Sequence, residues 1–482
     1  MGIKRPFELP VSLSISIPQQ SKLDAVYRSE ILICQNGLRQ RPPGKFDRLD
    51  RQRFEPQPRL VLYGHGWRRP EPPRLRAMIQ RRKIIIGALG MAAAAAAAGC
   101  SSHRTASPGT SDWIEPVANA EQPVRLSVTP ASGATGVSPV KPIVVTAEHG
   151  TLRSVIVTTG KTKVSGSMQA DGTWRSTGDL AYDKTYKVVA TATDSVGATS
   201  EHTSTFTTLK PHSLAKITFQ ANAMSSLKTG HTYGAGQPVI IAFSRAVDKA
   251  AAEKAIEIRT SPAVEGKFYW ANDKTVHWRP AKYWTGGTKI KVNVNVLGVK
   301  LGKEVYGEKN ASAHFQIGRQ LIAISDYRRH LTKVYIDGKL VRTMKSSLGK
   351  GGSATGANGE HISYWTTGGP HVVLSKERVH SMSSASYGIT DPKDPNYYGA
   401  EDIEYCTRIT YSGEFLHAAP WNHSLGHANL SHGCANLSVA DAKWVYENFL
   451  VGDIVDVKNS PRKLPIWNGL GDWTVPFAKY GR

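Results

Sequence analysis

The run from Pro420 to Asn436 carries residue types that can do covalent chemistry, because it holds one cysteine and three histidines among small residues. The cysteine, Cys434, follows His432 and Gly433 directly. An exposed thiol beside an imidazole and open backbone N–H groups favours a lowered thiol pKa, and the thiolate is the nucleophilic form. The run is therefore predicted to be a nucleophile loop with Cys434 as the nucleophile.

His417 is the candidate general base for this cysteine. It ends an apolar run and is followed by Ala-Ala-Pro-Trp, a sharp exit that would present the imidazole at the edge of a sheet. A third group must fix the tautomer of the histidine, and Ala418 offers only its backbone carbonyl. Small residues on both sides of Cys434 leave backbone N–H groups open, which suits an oxyanion hole for acyl transfer.

Two other interpretations of the same run stay open. A zinc site is conceivable because four ligand-type residues crowd together: His423, His427, His432 and Cys434. However, Gly426 disfavours a helix that would align the first two histidines, and the run contains no carboxylate. Cys434 could also be a buried structural cysteine. We expect neither a metal nor an organic cofactor.

Short alternating apolar runs between turn signals predict that the elements around this loop are mainly β. Residues 123–210 and 211–318 are each predicted to form an immunoglobulin-like β-sandwich, and residues 319–460 a β-rich catalytic domain. Asp337-Gly338 predicts a hairpin turn, and Ser438 with Asp441 predicts a capped short helix after the nucleophile loop. The Trp-rich tail, residues 461–482, is expected to dock on the catalytic domain through Trp467, Trp473 and Phe477.

The N-terminal part of the chain predicts export. Residues 1–77 are rich in Arg and Pro and are expected to be disordered or to come from a mis-assigned start codon. Residues 78–99 have the basic head, apolar stretch and small residues of a signal peptide, so translation is expected to start at Met78. Cys100 stands in a lipoprotein-type box and is predicted to be lipidated, and residues 100–122 form a polar tether.

A length of 482 residues indicates several domains, and the net charge of +23 has two interpretations. It suits a surface that faces an anionic cell wall or membrane, and it is equally an ordinary solubility feature. We expect no nucleic-acid partner. The four cysteines cannot build a disulfide framework, and we prefer Cys406 as a buried strand residue over a bridge to Cys434.

Two motifs resemble those of a known family. Tyr411-Ser-Gly-Glu-Phe-Leu-His417, followed by Ser431-His-Gly-Cys-Ala-Asn436, is similar to the histidine and Ser-His-Gly-Cys-x-Asn motifs of L,D-transpeptidases, the YkuD-type enzymes of bacterial cell walls. The likeness extends over roughly residues 320 to 480. Two immunoglobulin-like modules behind a lipoprotein signal resemble the actinobacterial, mycobacterial-type members.

The resemblance implies a thioester between Cys434 and a peptidoglycan stem tetrapeptide, with release of the terminal D-alanine. The side-chain amine of a neighbouring diaminopimelate then attacks and makes a 3→3 cross-link. His417 would be the base, the Ala418 carbonyl would orient it, and backbone N–H groups of His432, Gly433 and Cys434 would form the oxyanion hole. Residues expected to contact substrate are Met382, Tyr397 or Tyr398, Ser412, Gly413, Trp421 and Asn436.

The resemblance also implies acylation by carbapenems. L,D-carboxypeptidase activity, in which water replaces the acceptor amine, remains an alternative, and so does a non-catalytic wall-binding lipoprotein. In each case the expected location is the outer face of the cytoplasmic membrane and the cell wall. The partners would be peptidoglycan stem peptides and, through a lipid anchor, the membrane, and we expect a monomer.

Overall fold

A computed structural model of the chain describes residues 122–356, 359–399 and 401–481. The predicted extension, the signal peptide and the lipidated Cys100 lie outside these residues. Strands dominate the described part, and the predicted mainly β fold is confirmed. None of the helices in the described part is long and apolar enough to cross a membrane.

The first domain is a sandwich of two four-stranded sheets, ordered β1-β2-β6-β5 and β4-β3-β7-β8. Its strands are β1 Arg125–Thr129, β2 Val144–Glu148, β3 Thr151–Thr159, β4 Thr162–Lys163, β5 Gly166–Met168, β6 Trp174–Ser176, β7 Thr185–Thr193 and β8 Thr199–Thr207. Alternate residues of β7, among them Tyr186 and Val188, are buried between the sheets, as the period of two requires.

The second domain packs a five-stranded sheet, β11-β10-β13-β16-β15, on a four-stranded one, β12-β20-β17-β14, with a small third sheet, β18-β19-β9. Its strands are β9 Ser213–Ala215, β10 Ile217–Asn222, β11 Ser225–Ser226, β12 Thr232–Tyr233, β13 Val239–Phe243, β14 Ile256–Ser261, β15 Gly266–Trp270, β16 Thr275–Pro280, β17 Lys289–Val294, β18 Lys300–Gly302, β19 Val305–Gly307 and β20 Ala311–Ile317. Helix α1, Lys249–Ala255, begins after Asp248, whose side chain accepts from the Ala251 N–H.

The third domain is organised by one nine-stranded sheet, β26-β31-β21-β22-β23-β30-β29-β28-β27, with β24 and β25 pairing separately. Its strands are β21 Leu321–Asp326, β22 Leu331–Ile336, β23 Lys339–Ser347, β24 Ser353–Thr355, β25 His361–Ser363, β26 Gly369–Val372, β27 Ser375–Met382, β28 Glu401–Arg408, β29 Phe415–Ala418, β30 Ala435–Leu437 and β31 Ile454–Lys458. Helix α2 covers Val439–Asn448, and 3-10 turns cover Ser384–Tyr387, Gly471–Thr474 and Phe477–Lys479.

Helix α2 forms directly behind β30 and therefore backs the nucleophile loop. Ser438 accepts from the Asp441 N–H at 3.1 Å, which is the predicted cap. Ala442 and Val445 are buried in the core beneath the sheet, together with Leu437. The sheet and the helix thus fix the position at which the loop returns to the core.

The tail lies against both the third domain and the second. Leu470 and Trp473 pack in a cluster with Val372 of the third domain. The guanidinium of Arg279, in the second domain, lies 4.5 Å from the Trp473 ring centroid and 4.2 Å from that of Tyr480. Trp467, in contrast, is 64% exposed. An arginine stacked between aromatic faces gains cation–π attraction, so the end of the tail ties the second domain to the third.

Candidate active site

The central strands β29 and β30 present two residue sets on opposite faces of the sheet. The set buried in the core is Leu416, Ala418, Ala435 and Leu437. Because side chains alternate along a strand, the intervening residues face the other way. The parallel register pairs Leu416 with Ala435 and His417 with Asn436. The residues just before these pairs, Phe415 and Cys434, therefore lie side by side, and they pack in one cluster. His417 and Cys434 therefore share one face as diagonal neighbours on adjacent strands.

His417 is held as a neutral base. Its Nδ1 lies 2.8 Å from the Ala418 carbonyl oxygen, which can only accept, so Nδ1 carries the proton and Nε2 keeps its lone pair. Burial lowers the pKa of His417 to about 4, against a small opposing effect of that hydrogen bond. The Trp421 ring stacks at 6.2 Å and is 51% exposed, so it covers the imidazole from the solvent side.

The thiol of Cys434 is half-buried, and its Sγ lies 3.7 Å from the Gly413 carbonyl oxygen. Burial raises the pKa of this thiol to about 12; the Phe415 N–H and the Arg408 guanidinium oppose the rise, and Glu414 adds to it. The lowered pKa expected from the sequence was therefore wrong, because removal of the thiolate from water outweighs the neighbouring dipoles. At rest the pair is a neutral thiol and a neutral imidazole.

A titration can check this resting state. We expect the ultraviolet absorbance of a thiolate, taken as wild type minus Cys434→Ala, to stay absent between about pH 5 and 9, since each pH unit below the pKa lowers the ionised fraction tenfold. A step in this difference centred between about pH 5 and 7 would instead indicate a preformed thiolate–imidazolium pair. Cys406 cancels in the difference because both proteins contain it.

The loop before Cys434 is fixed by two hydroxyl groups. Ser431 Oγ accepts from the Gly433 N–H at 3.1 Å and donates to the Cys434 carbonyl at 2.6 Å, while Thr366 Oγ1 donates to the Gly433 carbonyl at 2.7 Å. A trans peptide points its N–H away from its carbonyl, so the Cys434 N–H points away from Thr366. Within the described residues, the N–H groups of His432 and Cys434 have no acceptor, whereas that of Gly433 is used.

An aromatic wall stands beside the loop. The His432 ring lies between Tyr364, at 4.8 Å, and Tyr398, at 5.3 Å, and Lys350 Nζ lies 3.2 Å from its Nε2. Burial, and then the Lys350 charge, lower the pKa of His432 to about 4. Of the two candidate tyrosines, Tyr398 is the one in this wall, and Tyr397 is 37% exposed.

The other predicted contact residues lie around the same face. Met382 packs near Cys434, and Ser412 is tied to Asn468 of the tail by two 2.9 Å hydrogen bonds. The buried Oδ1 of Asn436 has no partner among the described residues, which leaves an acceptor for a ligand. His423 and His427 are exposed, and the described part contains no cluster of three metal-ligating residues.

Several residues of this site escaped the sequence analysis. Thr366, Tyr364 and Lys350 lie about 70 to 85 positions before Cys434 and belong to no motif, so only the folded chain reveals them. Ser431 is the first residue of the Ser-His-Gly-Cys run. Its position two residues before Gly433 could have indicated that its hydroxyl bonds the backbone of the loop.

Comparison with known proteins gives two matching family models. The L,D-transpeptidase catalytic domain matches residues 319–457, and the bacterial Ig domain matches residues 134–300. L,D-transpeptidase 2 of Mycobacterium tuberculosis is 37% identical over 368 residues, which are 74% of this chain and 84% of that protein. L,D-transpeptidase 5 of the same species is 32% identical over 362 residues, 73% of this chain and 75% of that protein.

A crystal structure of L,D-transpeptidase 3 from Mycobacterium tuberculosis, in complex with a faropenem-derived adduct, is similar over part of the chain. It is 29% identical, covers 50% of this chain and 98% of its own, and gives a TM-score of 0.39.

Proposed function

The chain belongs to the L,D-transpeptidase family, and from this membership we propose that it forms 3→3 cross-links between peptidoglycan stem peptides through a thioester on Cys434. The observation that carries the proposal is the common face of His417 and Cys434, with the imidazole neutral and its free Nε2 on that face. A base in this state can take the proton of a thiol that does not ionise on its own.

In the proposed acylation, Cys434 Sγ attacks the carbonyl carbon that precedes the terminal D-alanine while its proton passes to His417 Nε2. The carbonyl oxygen becomes an oxyanion and accepts from the free N–H groups of His432 and Cys434. The C–N bond then breaks, the imidazolium returns the proton to the leaving amine, and D-alanine departs. The acyl group remains on the sulfur as a thioester.

In the proposed second half, the side-chain amine of a diaminopimelate on another stem attacks the thioester carbon. A C–N bond forms, the C–S bond breaks, and the proton of the amine returns through His417 to the sulfur. The buried, unpartnered Asn436 Oδ1 lies on the same face and can accept from a substrate N–H. No metal or organic cofactor takes part in this scheme.

We further propose that the protein works outside the cytoplasm, at the outer face of the membrane and in the cell wall, as a monomer. The signal peptide at 78–99, the lipidation of Cys100 and the tether before the first sandwich remain predictions from the sequence. The two sandwiches would then hold the third domain away from the bilayer.

The products from a disaccharide-tetrapeptide test the proposal. We expect the full chain to release D-alanine and to form a 3→3-linked dimer, identified by mass spectrometry with fragmentation, because the thioester is passed to an amine. Release of D-alanine with tripeptide alone would assign the protein as an L,D-carboxypeptidase. Recovery of unchanged tetrapeptide would contradict the enzymatic proposal and favour a wall-binding role.

A further inference from the structure

One arginine lies in line with the nucleophile. Arg408 ends β28, and the antiparallel register places it opposite Phe415 of β29. The parallel register of β29 and β30, continued by one residue, places Cys434 beside Phe415 on the other side. Arg408, Phe415 and Cys434 thus form one row across three adjacent strands. The guanidinium carbon of Arg408 lies 4.2 Å from the centroid of the Phe415 ring, so the side chain lies across the middle strand of this row.

The Arg408 side chain stacks on Phe415 but has no ion-pair or hydrogen-bond partner among the described residues. It is nevertheless half-buried. The carboxylate whose charge acts most on Arg408 is that of Glu377. It already has a hydrogen-bond partner, His380 Nδ1, at 2.6 Å. A guanidinium cannot give up its proton in a protein, and a partly desolvated charge gains when an anion approaches it.

The other cations near the site are already satisfied. Lys350 Nζ donates to Asn396 at 3.0 Å and to His432, and its position over the Tyr364 ring ties it to the aromatic wall. Arg378 pairs with Glu404 at 3.0 Å. Arg408 differs from both, because among the described residues its side chain has neither an ion-pair nor a hydrogen-bond partner and so is available to a ligand.

We propose that Arg408 is a specificity residue that binds the free terminal carboxylate of the donor stem peptide. The inference rests on the proposed function and deepens it. A planar guanidinium matches a carboxylate with two parallel N–H···O bonds, and the Phe415 ring supports the guanidinium plane. No bond is made or broken at Arg408; it positions the donor on the nucleophile.

The terminal carboxylate is the anion that fits this position. It is separated from the scissile amide nitrogen by one Cα, so its carbon lies about 3–4 Å from the carbonyl carbon that Cys434 attacks. The Arg408 guanidinium lies over the ring of Phe415, which is the residue between Arg408 and Cys434 in this row. A stem that ends one residue later carries an uncharged amide at the same place and loses the interaction.

A pair of substrates tests this inference with the full chain. One is the disaccharide-tetrapeptide, and the other is the same molecule with its terminal carboxylate converted to a carboxamide. We expect the wild type to favour the acid over the amide by about 10- to 100-fold in kcat/KM, mostly through KM, as loss of a charge-assisted hydrogen bond predicts. Release of D-alanine or D-alaninamide is followed by mass spectrometry.

Variants decide whether Arg408 is the cause. In Arg408→Gln the acid-to-amide ratio should fall to near one, and Arg408→Lys should keep part of the preference because it keeps the charge. The ratio does not depend on how much of a variant is folded. Arg378→Gln is the matched control: it also removes an arginine that stacks on an aromatic ring, Tyr405, and its ratio should equal that of the wild type.

Two outcomes would overturn the inference while leaving the proposed function standing: equal use of acid and amide by the wild type, or an undiminished preference in Arg408→Gln. A wild-type chain that released nothing from either peptide would overturn the proposed function, and the inference with it.

Discussion

Replacement of Cys434 by alanine is expected to abolish covalent acylation by a carbapenem such as imipenem. The wild-type chain should gain the mass of one drug molecule, because the sulfur opens the β-lactam ring and keeps the acyl group as a thioester. Alanine offers no nucleophile, so no adduct should form at any drug concentration or time. Intact-protein mass spectrometry measures the result, and peptide mapping locates the modified residue.

Cys406→Ala is the matched control for this experiment. Cys406 is fully buried, its Sγ lies 3.4 Å from the Ile403 carbonyl oxygen, and burial raises its pKa to about 12. Its thiol has no access to the drug, so the variant should be acylated like the wild type. An adduct that persists in Cys434→Ala, or that maps to another residue, would show that the nucleophile has been misassigned.

Local signals in the sequence predicted the elements that frame the site. Asp337 and Gly338 both adopt positive φ in the hairpin turn, at 48° and 80°, as their residue types favour. Ser438 and Asp441 fix the start of α2 through contacts only three residues apart. Such features depend on neighbours in the chain, and a single sequence contains them.

Features that depend on distant contacts could not be predicted in this way. The tail meets Arg279 across about 200 positions, and no local pattern marks an arginine that stacks on Trp473. The hydroxyl of Thr366 holds the Gly433 carbonyl across 67 positions. The pKa of Cys434 was predicted with the wrong sign for the same reason: burial is set by Phe415 and Cys406 on neighbouring strands, not by the residues beside it.

Replacement of His417 by alanine is expected to slow acylation by imipenem by about 10²- to 10⁴-fold at neutral pH, the range that a positioned general base contributes. The effect is large because the thiol, with a pKa of about 12, forms little thiolate without a base. The rate is measured by stopped-flow or mass spectrometry. His423→Ala, which removes an exposed histidine six positions along the chain, should keep the wild-type rate.

The pH dependence separates loss of a base from simple damage to the site. The imidazole acts in its neutral form, which predominates above its pKa of about 4, so the wild-type rate should be flat through neutral pH and fall only as the pH drops towards that value. In His417→Ala only thiol that ionises in solution can react. The residual rate should therefore rise about tenfold per pH unit between about pH 7 and 10. A variant that is slow but still independent of pH would mean that His417 orders the loop and does not take the proton of Cys434.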